Sequence, residues 1–185
     1  MTTVTHFSLE ELEAGLDTIR QSPSEIGDLQ LIVRRPAANE REVLQVGELD
    51  LNQGLMGDNW GVRGSSRTKD GSSHPDMQLN IMSTRVISLI TQDKDRWQLA
   101  GDQLFVDFDL SAANIPPGTQ LALGSTIVEI TDQPHTGCAK FKTRFGLDAL
   151  KFISSPVGKA LQLRGVNAKV IKPGTIQVGD KVEKL

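Results

Sequence analysis

The chemistry available to this chain centres on one thiol. Cys138 is the only cysteine among 185 residues and stands in DQPHTGCAKFKTRFG, Asp132 to Gly146, flanked by His135, Lys140, Lys142 and Arg144. Positive neighbours, and a helix beginning at the cysteine, favour the thiolate, which is the nucleophilic and metal-binding form. The same groups suit a phosphate. Three roles fit these residues. Cys138 is a small buried hydrophobe, a nucleophile paired with His135, or the single thiolate ligand of a soft or high-valent metal brought by an organic cofactor whose anionic groups the basic residues hold. One cysteine with His6, His74 and His135 scattered along the chain offers no zinc-cage spacing.

A second group of cations lies in DNWGVRGSSRTKDGSSHPD, Asp58 to Asp76, where Arg63, Arg67, Lys69 and His74 interrupt a polar, glycine- and serine-rich run. A loop of this length in a compact domain is either a functional lid or an inert insertion. Just before it, GLMGD at 54–58 lacks the spacings of nucleotide-binding loops and reads as a tight turn, with Gly57 at positive φ and Asp58 capping local backbone donors. Asn114, ahead of Ile115-Pro116-Pro117, reads as a turn residue.

Short β-rich runs must position these groups. Strands are predicted over 29–34, 42–49, 79–90 with a break, 104–108, 120–123, 126–131, 166–171 and 175–182. They are too closely spaced for βαβ crossovers, which favours a barrel over a doubly wound sheet. Leu9, Leu12, Leu16 and Ile19 form an apolar helical stripe, opened by the capping box Ser8/Glu11 and ended before Pro23. Helical pieces are predicted around 92–99 and between Cys138 and Leu163, broken at Gly146 and Pro156.

The 20 Lys and Arg against 23 Asp and Glu leave a net charge of −3, which argues against sequence-independent binding to nucleic acid while allowing a local basic pocket. No apolar run is long enough for a membrane span, and the start lacks a secretory pattern, so a cytoplasmic address without membrane contact is expected. A single thiol also removes disulfides and cysteine-bound iron–sulfur clusters.

In order, GLMGD (54–58), QLNIMSTRVISLI (78–90), LAGDQLFVDFDLSAANIPPGTQLALGSTIVEIT (99–131), HTGCAKF (135–141) and LRGVNAKVIKPGTIQVGDKV (163–182) resemble the MOSC domain family, named for the C-terminal domain of molybdenum cofactor sulfurases. The resemblance covers 27–185 and leaves 1–26 as an N-terminal helical extension. It implies a mainly β fold: a MOSC-type β-barrel with an N-terminal amphipathic helix and one or two short helices after the cysteine. It further implies binding of the molybdenum cofactor in its molybdopterin form, with Cys138 at the family's cysteine position as molybdenum ligand or sulfur carrier and His135 beside it. Arg85, Ser111, Asn114, Thr136 and Lys140 fall in blocks around the family's pocket. Arg63, Arg67 and Asp58 join them on the basis of charge and the turn. Two activities follow: an oxidoreductase reducing N-hydroxylated compounds with electrons from a partner protein, or a carrier passing cofactor or persulfide sulfur between a sulfur donor and a molybdoenzyme. A barrel binding another small anion is the further alternative. Pyridoxal phosphate is not expected, because no aminotransferase-like desulfurase segment accompanies the blocks.

Overall fold

The computed structural model describes residues 4–185; the first three residues of the predicted N-terminal extension lie outside the described residues. Its strands are β1 (Ile26–Arg34), β2 (Glu42–Leu44), β3 (Val46–Asp50), β4 (Gly54–Leu55), β5 (Leu79–Ser83), β6 (Leu104–Asp107), β7 (Gln120–Leu123), β8 (Thr126–Ile130), β9 (Val166–Lys172), β10 (Gly174–Gln177) and β11 (Lys181–Lys184). Its helices are α1 (Leu9–Ala14), α2 (Leu16–Arg20), α3 (Trp60–Arg63), α4 (Thr84–Ile90), α5 (Ala139–Phe145), α6 (Leu147–Ser154) and α7 (Pro156–Ala160), with 3-10 turns at Pro75–Met77 and Lys94–Ala100.

Seven strands close a barrel in the order β11-β7-β8-β9-β5-β6-β1, and β1 returns to β11. The nine-residue β1 closes the ring by pairing β11 through Ile26–Asp28 and β6 through Asp28–Ile32, and its far end, Ile32–Arg34, also carries β2. A second sheet, β10-β3-β4, packs Leu49, Leu55 and Ile176 against the barrel interior. The interior is filled by Leu29, Leu79, Ile81, Leu104, Val106, Leu121, Val128 and Val182. Alternate residues of the same strands, among them Leu31, Val33, Met82 and Phe105, face outward into a second core with Leu12, Ile87, Phe141, Phe145 and Phe152. Period-two alternation therefore buries β1, β5 and β6 on both faces, under a one-sided helical layer.

The predicted strand over 79–90 holds only to Ser83. Thr84–Ile90 is α4, burying Val86, Ile87 and Ile90. The reason is topological: β5 and β6 are parallel, and parallel neighbours need a crossover, which α4 and the following 3-10 turn supply. β-Branched composition concealed a buried helix. Likewise 175–182 is two strands in different sheets, split by the turn at Gly179-Asp180, and 42–49 breaks at Gln45. Gly146 and Pro156 do divide the helical run after Cys138, and Ser8 and Glu11 form the capping box. Among the described residues no helix is long and apolar enough to cross a membrane.

Candidate functional site

A cleft of about 280 Å3 opens between the segments 35–41, 59–63 and 135–144. Its floor begins with Arg35, which leaves β1 directly into the helical layer and is 4% exposed. Arg35 Nε and Nη2 donate to the two carboxylate oxygens of Asp58 at 2.9 and 2.7 Å, and Nη1 donates to Asn80 Oδ1 and the Gly101 carbonyl. Asp58 reaches this position through the predicted turn, since Gly57 adopts φ 81° and Asp58 also accepts from the Trp60 and Arg35 amides. Burial alone would raise the Asp58 carboxyl; the Arg35 guanidinium outweighs it and holds the group below the usual carboxylate range.

The opposite wall is built on a second buried carboxylate. Asp102 is fully buried and accepts His135 Nε2–H at 2.8 Å on one oxygen and Arg164 Nη1–H at 2.7 Å on the other. Burial works against ionisation here too, yet Arg164 and then His135 hold Asp102 down to about 2. His135 is lowered by burial and by the Arg164 charge, against the pull of Asp102, so its ring is neutral near pH 7. A carboxylate only accepts, which fixes the proton on Nε2 and leaves Nδ1 bare.

Cys138 caps the N-terminus of α5 with its side chain exposed at the rim, beside exposed Thr136 and Lys140. This sets aside the buried-hydrophobe role for the thiol. Among the described residues no hydrogen bond joins Cys138 to His135, whose Nε2 is committed to Asp102. The pairing of these two as nucleophile and base is therefore not made in this geometry.

Six cations line the cleft: Arg35, Arg41, Arg63, Lys140, Arg144 and Arg164. Asp58 answers Arg35 and Asp102 answers Arg164. The other four have no carboxylate partner among the described residues. Arg41 donates to the Gln98 and Glu40 carbonyls, Arg144 to the Leu99 carbonyl, and Lys140 to Asn39 Oδ1. Burial, followed by repulsion from Arg144, Arg35 and Arg63, pushes Arg41 below the usual guanidinium range. Such a cluster is an anion site. Among the described residues no three of His, Cys, Asp and Glu gather to hold a metal, and the exposed Cys138 sulfur is the soft ligand group at the rim.

Of the residues singled out from sequence, Cys138, His135, Thr136, Lys140 and Arg63 meet at this cleft, with Asp58 beneath it. Arg67 lies outside the lining and donates to the Pro134 carbonyl, tying the 58–76 loop to the segment ahead of His135. That loop carries α3 and is pinned by Ser73 Oγ on the Trp60 carbonyl. Arg85, Ser111 and Asn114 are not brought here. Arg85 sits on α4 and pairs with Asp107; Ser111 Oγ accepts the Asn114 amide; Asn114 bonds the Ser24 and Asp109 carbonyls and accepts from Lys184. Sequence reasoning missed Arg35, Arg41, Asp102 and Arg164. The signal was a charged residue abutting an apolar strand at RR-Pro36, GDQLF and LRGV, where ionic side chains are buried only when partnered.

The barrel is similar to solved structures of low identity. The YUAD protein from Bacillus subtilis matches at a TM-score of 0.64 and 12% identity, over 86% of this chain and 95% of that one. YiiM from Escherichia coli matches at 0.54 and 17%, over 85% and 69%. A comparison with curated protein sequences finds no match. The family model for the MOSC domain matches residues 72–183, which carry β5 to β11, Asp102, Cys138 and Arg164, and the chain therefore belongs to the MOSC domain family, a family associated with molybdenum-cofactor binding.

Proposed function

We propose that the chain binds the molybdopterin form of the molybdenum cofactor in this cleft, with Cys138 as the protein ligand to molybdenum. In this reading it is the cofactor-bearing component of an oxidoreductase that reduces N-hydroxylated compounds. The observation that carries the reading is the surplus of four cations around an exposed thiol. The residues fit the group. A pterin phosphate is close to a dianion, and well-formed charge-assisted contacts contribute about 1.5–3 kcal/mol each. The cleft volume is near the lower end of the roughly 300–1,000 Å3 of ligand sites, consistent with a ligand that remains partly outside the rim.

Arg41, Arg63, Lys140 and Arg144 would hold the anionic groups, while Arg35 and Arg164, fixed by Asp58 and Asp102, keep the walls from collapsing inward. When bound, the cofactor supplies two-electron redox chemistry at its metal. His135, held neutral with its proton on Nε2, keeps Nδ1 as a group able to accept a proton. With one cysteine the chain has no ligand set for an iron–sulfur cluster, so electrons come from a partner protein. The exposure of Cys138 also favours a second reading, in which the sulfur is reached by another protein and the chain carries cofactor or persulfide sulfur.

Reduction of an N-hydroxylated base by cofactor-loaded protein with an artificial electron donor separates the two. Turnover that disappears in Cys138→Ser supports the enzyme. Loaded protein without turnover, able to hand cofactor or sulfur to an acceptor, supports the carrier.

A further inference from the structure

A second cavity, of about 310 Å3, backs onto the first: His135, Thr136 and Arg164 line both, while Cys138 borders only the first and Gly137 only the second. Its chemistry differs. Pro134, Ile153 and the backbones of Gly137, Gly158 and Gly165 give apolar, flat walls. Gly137 is pressed onto α6 so closely that a Cβ there would stand 2.4 Å from Leu150 Cδ1. The polar groups are Ser154, Lys159 and Gln162. The Arg164 charge is answered by Asp102 and the His135 ring is neutral, so exposed Lys159, with no ion pair among the described residues, is the one unanswered cation here, against four in the first cleft. Among the described residues no carboxylate lines the cavity.

The backbone determines where Gln162 lies. Asn39 and Gln162 are the non-glycine residues at positive φ among the described residues, at 66° and 49°; Asn39 lines the first cleft and Gln162 the second. Asparagine visits this region readily, whereas glutamine has no such preference. The Gln162 backbone amide donates to the Lys159 carbonyl at 3.2 Å, and its own carbonyl accepts from Gly165 at 2.8 Å, which fixes this conformer. This is the Schellman ending of α7, completed by the Leu163 amide donating to the Gly158 carbonyl at 2.9 Å, and it sets Gln162 on the cavity wall.

We propose that this cavity binds a small amphipathic monocarboxylate, with its flat apolar body against Pro134, Ile153 and the glycine backbones. The carboxylate lies among the Lys159 ammonium, the Gln162 side-chain amide and the Ser154 hydroxyl, all donors. The site is independent of the molybdenum reading and is tested on the cofactor-free chain.

The experiment titrates 15N-labelled protein with benzoate and, separately, with its neutral isostere benzamide. Saturable benzoate shifts at the Gly137, Gly158 and Gly165 amides are expected, with benzamide weaker by about tenfold for the lost charge-assisted contact. Lys159→Gln should bring the two probes within about twofold of each other. Gln162→Gly should weaken benzoate several-fold while the thermal midpoint holds or rises, since glycine takes this φ freely. The proposal is overturned by equal binding of both probes, by benzoate affinity unchanged in Lys159→Gln, or by the absence of saturable shifts. Shifts confined to Gly101 and Lys140 also overturn it, because they place the anion in the other cleft.

Discussion

At the scale of single residues, the site depends on two buried carboxylates, Asp58 and Asp102, each paired with a buried guanidinium. Asp102 orients His135 and Arg164 at once, and removing its charge leaves a buried guanidinium unanswered. Asp102→Asn is expected to destabilise the fold by about 3–5 kcal/mol, read from urea unfolding. The pH dependence has a definite sign. His135 is held below its ordinary 6.5, so as pH drops below that value the unfolded chain gains a proton that the fold resists, and stability falls. Asp102, at about 2 against an ordinary 3.8, adds a further loss on the order of 2 kcal/mol as pH falls through that window. Urea midpoints measured from neutrality downward should show both declines, and Asp102→Asn should lack the second. Cys138, His135, Thr136 and Lys140 were legible in the sequence because they are contiguous. Asp102 and Arg164 were not, because their partnership spans 62 positions and ion pairing leaves no periodic trace.

At the scale of elements, turns place the charges. Gly57 at φ 81° delivers Asp58 to Arg35, and a Cβ there would stand 2.7 Å from Arg34 Nη1. Gly57→Ala is expected to lower stability by about 1–3 kcal/mol, seen as a fall in thermal midpoint, and to weaken phosphate binding with the displaced Arg35. The strand pattern was legible where buried and half-exposed residues alternate, as in β8. It failed at α4, where a helix buried beneath α2 and the barrel carries the same β-branched residues as a strand. The same turn of the chain explains Arg85: the block that matches as sequence passes from strand to helix at Thr84, which aims Arg85 at Asp107 rather than at the cleft.

At the scale of the whole molecule, a net charge of −3 coexists with a cleft carrying four unanswered cations. Mutual repulsion there is relieved by a bound anion, so inorganic phosphate should raise the thermal midpoint, by as much as about 2.7 kcal/mol of stability at a hundredfold excess over Kd. Lys140 is exposed, and among the described residues its ammonium bonds only Asn39. Lys140→Gln is expected to change phosphate-free stability by less than about 0.5 kcal/mol while reducing phosphate affinity severalfold. The barrel was legible as a whole because strand spacing and family blocks run along the chain; the cleft was legible only at Arg63 and the Cys138 segment, because Arg35, Arg41 and Arg164 converge from separate segments.

The most direct test of the central claim is the molybdenum content of the purified chain from a host that makes the cofactor, measured by elemental analysis beside Cys138→Ala. The thiol is exposed, so the variant should keep its thermal midpoint. The account predicts about one molybdenum per chain in the wild type and its loss in the variant. Wild-type protein free of molybdenum, or a variant that retains it equally, would contradict the account.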